Sequence, residues 1–133
     1  MRTPKILYNT ENPGLICFHS NKVIYTSYSY DNKQGIFEIE NDLDCIPDGG
    51  FFHEFNLKEL ILPEQIKSIG KDAFTDCNCL EAITTFSNKL EIPYGIYHIK
   101  NIRLYVRPCY VDEYKKTEWN KCKGIFPVIT KYD

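Results

Sequence analysis

The chain reads as an α/β-type solenoid: a short stack of like units, each a short β-strand followed by irregular turns, with N- and C-terminal caps. Two observations predict this. Ile46 and Ile69, Phe51 and Phe74, Leu57 and Leu80, and Leu60 and Ile83 all lie 23 residues apart, so one pattern is written twice in fixed register between Leu43 and Thr85. Self-similarity at a period of roughly 20 to 50 residues marks a stacked repeat, in which one unit cannot bury its apolar face alone. Each unit also follows the same order: strand, tight polar corner, short apolar pair, small helical or 3₁₀ turn, next strand.

Ahead of the repeats, Ile6-Leu7-Tyr8 and Val23-Ile24-Tyr25 are β-branched and aromatic runs that predict strands, with Asn12-Pro13-Gly14 as a turn between them. Tyr30 to Gly35 is a polar turn, and the alternating Ile36-Phe37-Glu38-Ile39 predicts the strand on which the first repeat begins. Leu57 to Leu62 is the next strand and Pro63-Glu64-Gln65 its corner, where a residue without an amide proton suits a strand end. Pro47 and Gly70 occupy equivalent bend positions. Ile66 and Ile69 pack inward, Asp72 to Cys77 reads as a short helix, and Leu80 to Thr85 opens the following coil. Period two along the strands turns Phe37, Ile39, Leu60, Leu62 and Ile83 inward, and Glu59, Ile61, Ala82 and Thr84 outward.

Beyond the repeats, Asn101 to Val106 predicts a strand, and Tyr110 to Trp119 a short helix with Val111, Tyr114 and Trp119 on its apolar side. Such a helix covers the open end of the last coil. Two units are clear and roughly three are needed for stability. Residues 1–34 therefore read as an N-terminal cap, 35–86 as the clear repeats, and 87–133 as a degenerate repeat with a C-terminal cap, all in one domain.

Composition narrows the function. A chain of 133 residues, 43% hydrophobic and 14% aromatic, fills one core without staples. Sixteen basic against eighteen acidic side chains leave a net charge of −2 and no basic stripe, so nucleic acid is not an expected partner. No apolar run is long enough to span a bilayer. Met1-Arg2-Thr3-Pro4-Lys5 leads into Ile6 without the apolar core of a signal peptide, so either the chain stays inside the cell or a leader has been removed. The six cysteines are expected as free, small apolar groups, and the Cys77-x-Cys79 pair lacks a second pair at metal-ligand distance.

No catalytic residue, cofactor or metal is expected. His19, His53 and His98 are the only imidazoles, and His53, the least remote from Cys45 and Cys77, has no orienting group or oxyanion pocket signalled beside it. Asp42, Asp44 and Asp48, like Asp72, Asp76 and Glu81, lack the glycine and terminal glutamate of a calcium loop and read as turn acids. Binding is the better expectation. Tyr25, Tyr28 and Tyr30 are read as sharing one strand face, and Tyr94, Tyr97, Tyr105 and Tyr110 form a second group; exposed tyrosines give broad contact at small entropic cost. Glu38, Ile61 and Thr84, each 23 residues from the next, are expected as a row on the outer sheet surface.

The unit Leu62-Pro63-x-x-Ile66-x-x-Ile69-Gly70-x-x-Ala73-Phe74-x-x-Cys77-x-x-Leu80 resembles the repeat of the BspA-type leucine-rich repeat proteins. Lys5 to Thr10 and Tyr30-Asp31-Asn32-x-x-Gly35-Ile36 are similar to the lead-in of that family, and Leu104-Tyr105-Val106, Val111 to Tyr114 and Trp119 to its closing segment. Gly50-Phe51-Phe52-His53-Glu54 departs from the usual Ala-Phe-x-x-Cys, and Arg107-Pro108-Cys109 from the usual proline and glycine turn. The resemblance implies a right-handed leucine-rich repeat coil without common catalytic residues. It also implies a bacterial surface or secreted protein that binds a protein or glycan. The alternative expectation is a structural component that self-associates through the ends of the solenoid.

Overall fold

The computed structural model describes residues 3–93 and 98–129. Nine strands form in chain order: β1 (Lys5–Thr10), β2 (Val23–Ser29), β3 (Gln34–Ile39), β4 (Cys45–Ile46), β5 (Leu57–Leu62), β6 (Ser68–Ile69), β7 (Ala82–Thr85), β8 (Arg103–Val106) and β9 (Gly124–Pro127). The main sheet runs β2-β3-β1-β5-β7-β8-β9, and β4 pairs with β6 apart from it. From β2 to β5 the neighbours are antiparallel; from β5 to β9 they are parallel.

The register of the repeat is the register of the sheet. Leu60 lies opposite Ile83 and Ile61 opposite Thr84, while Ile46 lies opposite Ile69 in the small ladder, so strand and corner both stack at the 23-residue offset. The next two coils shorten: Leu104 faces Ile83 and Ile125 faces Leu104, each 21 residues on. A period of 23 does not reveal them. β9 in particular has no counterpart among the strands expected from the sequence.

Alternation decides what is buried. Ile6 and Tyr8 from β1, Phe37 and Ile39 from β3, Leu60 and Leu62 from β5, Ile83 and Leu104 turn to one interior, where Ile46, Phe51, Ile66, Ile69 and Phe74 meet them. At about 1.5–3 kcal/mol for each large apolar side chain buried, no single coil supplies the stabilisation; the stack does. Much of the aromatic content lies in one run of rings. Tyr30 meets Tyr28 edge-on at 5.0 Å, Tyr28 stacks on Tyr8 at 6.0 Å, Tyr8 on Phe37 at 5.0 Å, Phe37 tilts against Phe18 at 5.6 Å, and Phe18 stacks on Phe51 at 4.7 Å and Phe51 on Phe74 at 5.9 Å.

Three expectations are corrected. β3 does not adjoin β5, because β1 lies between them and bonds to both; Glu38 is therefore not in a row with Ile61. The inward alternation of Phe37 and Ile39 mimics that of Leu60 and Leu62, but the intervening β1 has the same alternation and offers two antiparallel ladders.

Residues 72–77 are turns and not a helix. Asp72 and Asp76 have φ of 57° and 63°, and one coil earlier Gly49 and His53 have 68° and 62°. A left-handed residue cannot continue a right-handed helix. The i to i+3 bonds Thr75 N–H to Asp72 O and Cys77 N–H to Phe74 O hold the turns. Bonds from Gly49, Phe51 and His53 N–H to Lys71, Ala73 and Thr75 O tie them to the coil before.

Third, the helix expected over Tyr110 to Trp119 is only α1 (Val111–Lys115), flanked by 3₁₀ turns at Pro108–Tyr110 and Glu118–Lys121. Thr117 stops it: its Oγ1 donates to Tyr114 O at 2.7 Å and accepts the Trp119 N–H at 3.2 Å, diverting backbone groups from the helical ladder.

The Gly70 bend needs space more than flexibility. A Cβ there would come within 2.5 Å of the Asp48 backbone nitrogen and of its Oδ1, the atom that accepts the Lys71 N–H at 2.7 Å. Because backbone is in the way, Gly70→Ala must push two coils apart. The expected loss is about 1–3 kcal/mol, the usual range for overpacking, read as a lower urea midpoint at unchanged slope.

Candidate functional site

The outer face of the main sheet is a surface that the fold organises across seven strands. Side chains opposite one another form a central row across all seven strands: Ser27, Ile36, Leu7, Ile61, Thr84, Tyr105 and Phe126. At about 4.8 Å per strand the row is about 29 Å long. Its ring pair Tyr105 and Phe126 lies at 5.5 Å, and Phe126 is exposed. A hollow of ≈ 450 Å³ opens over Leu7, Ile36 and Ile61, with Ser27, Asn9 and Gln34 on its walls. A smaller one of ≈ 210 Å³ lies over Ala82 and Thr84, between Glu59, Arg103 and Tyr105.

Polar side chains flank the row, and they are already engaged. Asn9 Nδ2 donates to Glu59 Oε2 at 3.0 Å, Lys5 pairs with Glu38 at 4.0 Å, and Arg103 pairs with Glu81 at 3.7 Å. The face therefore offers apolar contact with compensated charge. It is suited to covering by another apolar surface, not to attracting a strongly charged ligand.

Ile61 and Thr84 fall on the central row, side by side. Glu38 lies on the flank, opposite Lys5 and Tyr25. The three N-terminal tyrosines do not share a face. Tyr28 is three positions on from Tyr25, an odd step, so the two point to opposite sides. Tyr25 is exposed beside Glu38, whereas Tyr28 turns inward, its hydroxyl 2.6 Å from Thr10 Oγ1 and accepting the Gly14 N–H at 3.0 Å. Tyr30 is exposed against the edge of Tyr28. Of the second group, Tyr105 is on the central row, Tyr110 packs against the core, and Tyr94 and Tyr97 lie outside the described residues.

Leu7, Ile36 and Phe126 were not singled out in the sequence. The available signal was that Ile6-Leu7-Tyr8 and Ile36-Phe37 are continuous apolar runs, with an apolar residue at an outward position where a solvated sheet would place a polar one.

Elsewhere the reactive residue types serve the stacking. His53 Nδ1 lies 2.6 Å from Asp76 Oδ2, its ring beside Phe52 and Phe55, and positions 53 and 76 are equivalent in the repeat. Cys77 donates its thiol to Phe51 O at 3.0 Å, and burial pushes that thiol up to about 12, so it is not a thiolate at neutral pH. Asp42 pairs with Lys22 at 3.0 Å, and all six cysteines are free. Among the described residues no three His, Cys, Asp or Glu gather where they could hold a metal ion, and no helix is long and apolar enough to cross a membrane.

A family model for the BspA type leucine rich repeat region matches residues 16–125, in six copies. The chain belongs to this family. The match runs past the two clear repeats into β9, in agreement with the shortened 21-residue coils of the sheet. The BspA-type family is one of repeat modules, generally without catalysis and suited to protein interaction. No curated protein and no solved structure matches this leucine-rich repeat chain.

Proposed function

We propose that the chain is a non-catalytic binding module, a right-handed leucine-rich repeat solenoid at the bacterial surface or secreted, holding a protein partner against the outer face of its sheet. The observation that carries this reading is the central row, with the hollow over Leu7, Ile36 and Ile61 at one end and the Tyr105–Phe126 pair at the other. Interfaces concentrate their energy in desolvated apolar pockets and aromatic anchors with a polar rim, and this face has those parts. The floor of the hollow also favours protein over glycan. Its outward side chains, Leu7, Ile36 and Ile61, are aliphatic, whereas a sugar ring seeks an aromatic plane; the two tyrosines that also line it, Tyr8 and Tyr28, have their rings stacked on each other.

The test uses the biotinylated chain as bait for the surface and secreted proteins of its own source organism, with Ile61→Glu and Ile36→Glu as matched baits. Both side chains point outward, so the variants are expected to fold. A cognate partner is expected to bind each at least about tenfold more weakly, a loss of about 1.4 kcal/mol. A partner held equally by all three baits, or a glycan bound on an array when no protein is retained, would overturn the reading.

A further inference from the structure

We propose that the free edge of β2 is a self-pairing surface, through which two copies of this chain join antiparallel into one continuous sheet. The proposal is independent of the outer-face reading, since it uses backbone groups in the plane of the sheet.

Which groups are free follows from the ladder. Ile39 N–H donates to Pro4 O on the β1 side, while Glu40 N–H donates to Lys22 O on the β2 side. By the alternation of an antiparallel pair, Gln34, Ile36 and Glu38 therefore direct their backbone groups at β2, where Ser29, Ser27 and Tyr25 answer them. Thr26 and Tyr28 direct theirs outward, at the outermost strand of the sheet.

Such an edge is normally blunted with a charge, a proline or a bulge. Val23–Ser29 contains neither charge nor proline, and its one bulge, at Ile24, leaves the stretch Tyr25–Ser29 in regular pairing with β3. The opposite edge strand, β9, carries Pro127. Exposed apolar side chains also gather here: Ile24, Tyr25 and Tyr30 are 59%, 57% and 58% exposed within one seven-residue stretch.

A second copy is the occupant that fits. With the two-fold axis at Ser27, Thr26 of each copy faces Tyr28 of the other, and both are outward-directed, so four main-chain hydrogen bonds close the pair. The same register sets Tyr25 opposite Ser29 within the strand and brings the exposed Ile24 of one copy near Tyr30, which opens the β2–β3 turn of the other. No like charges oppose, since Val23–Ser29 carries no charged side chain.

Sedimentation velocity over about a hundredfold range of concentration tests this. The wild-type chain is expected to pass from its monomer mass of 15.6 kDa to twice that value. Thr26→Pro leaves the internal ladder intact, because the amide it removes points outward, and is expected to weaken dimerisation at least about tenfold; Thr26→Lys is expected to do the same by charge, should the proline variant fail to fold. Ser27→Cys, in a Cys17→Ser and Cys109→Ser background, is expected to oxidise to a covalent dimer, since residues at a non-hydrogen-bonded pair lie about 4.5 Å apart at Cα. Tyr25→Cys in the same background is expected not to. A wild-type chain that stays monomeric throughout, or a dimer unaffected by both Thr26 variants, would overturn the proposal.

Discussion

Phe51→Ala is expected to remove about 3–5 kcal/mol of stability, the range for truncating a fully buried phenylalanine. Its ring is inaccessible to solvent, stacks on Phe18 at 4.7 Å with planes 10° apart, and on Phe74 at 5.9 Å with planes 5° apart. Its backbone is just as tied: the N–H donates to Ala73 O and the carbonyl accepts the Cys77 thiol. Relaxation into the void is thus restricted on both sides, which places the loss toward the upper end. A folded domain has only about 5–15 kcal/mol in total, so the single variant is close to unfolding and a double alanine variant is not measurable. The coupling between coils is better read from a cycle of Phe51→Leu, Phe74→Leu and the pair, by urea unfolding. Rings stacked in one interior are expected to couple by about 0.5–1.5 kcal/mol. Strict additivity would mean that the two coils do not share a core, and the repeat reading would fail with it.

What the sequence revealed and what it concealed follow from the range of each signal. Ile46 over Ile69 and Leu60 over Ile83 were legible because stacked coils demand the same side-chain volume at the same step, and that demand is written into the chain as a period. The place of Glu38 was not, because β1 joins the sheet by a long-range antiparallel pairing that has no period. The turns at 72–77 were legible in principle: Asp72 is the repeat-equivalent of Gly49, and glycine and aspartate share a tolerance for positive φ that helix-like spacing of apolar residues hides. Tyr28 was misplaced by reading the three tyrosines as alternating on one face, when its odd spacing from Tyr25 already put it on the other. β9 was missed because the period contracts from 23 to 21 after Thr85, so Ile125 falls out of step with Leu60 while remaining in line with Leu104.

Trp119→Ala is the second large loss expected, about 3–5 kcal/mol, and its comparison with Trp119→Phe separates two roles of the C-terminal cap. The indole is 1% exposed and its Nε1–H donates to Leu90 O at 2.7 Å, while Tyr114 O–H donates to Ser87 O at 2.8 Å. Both acceptors lie in the irregular stretch between β7 and the isolated bridge of Glu91 to Ser68, outside any strand ladder. A cap that only covered apolar surface would need neither donor, and Trp119→Phe would then cost only the void left by the smaller ring, about 1 kcal/mol, and Tyr114→Phe almost nothing. A cap that also holds this stretch in place leaves Leu90 O unpaired in the interior when the indole is lost, which adds about 1–3 kcal/mol to the cost of the void. Tyr114→Phe is expected to cost a similar amount through Ser87 O, since it removes the hydroxyl and keeps the ring. Loss in both phenylalanine variants, measured by urea unfolding, assigns the cap a structural part in the coil beneath it: the segment at 87–90 lacks a regular ladder of its own because the cap supplies its hydrogen bonds.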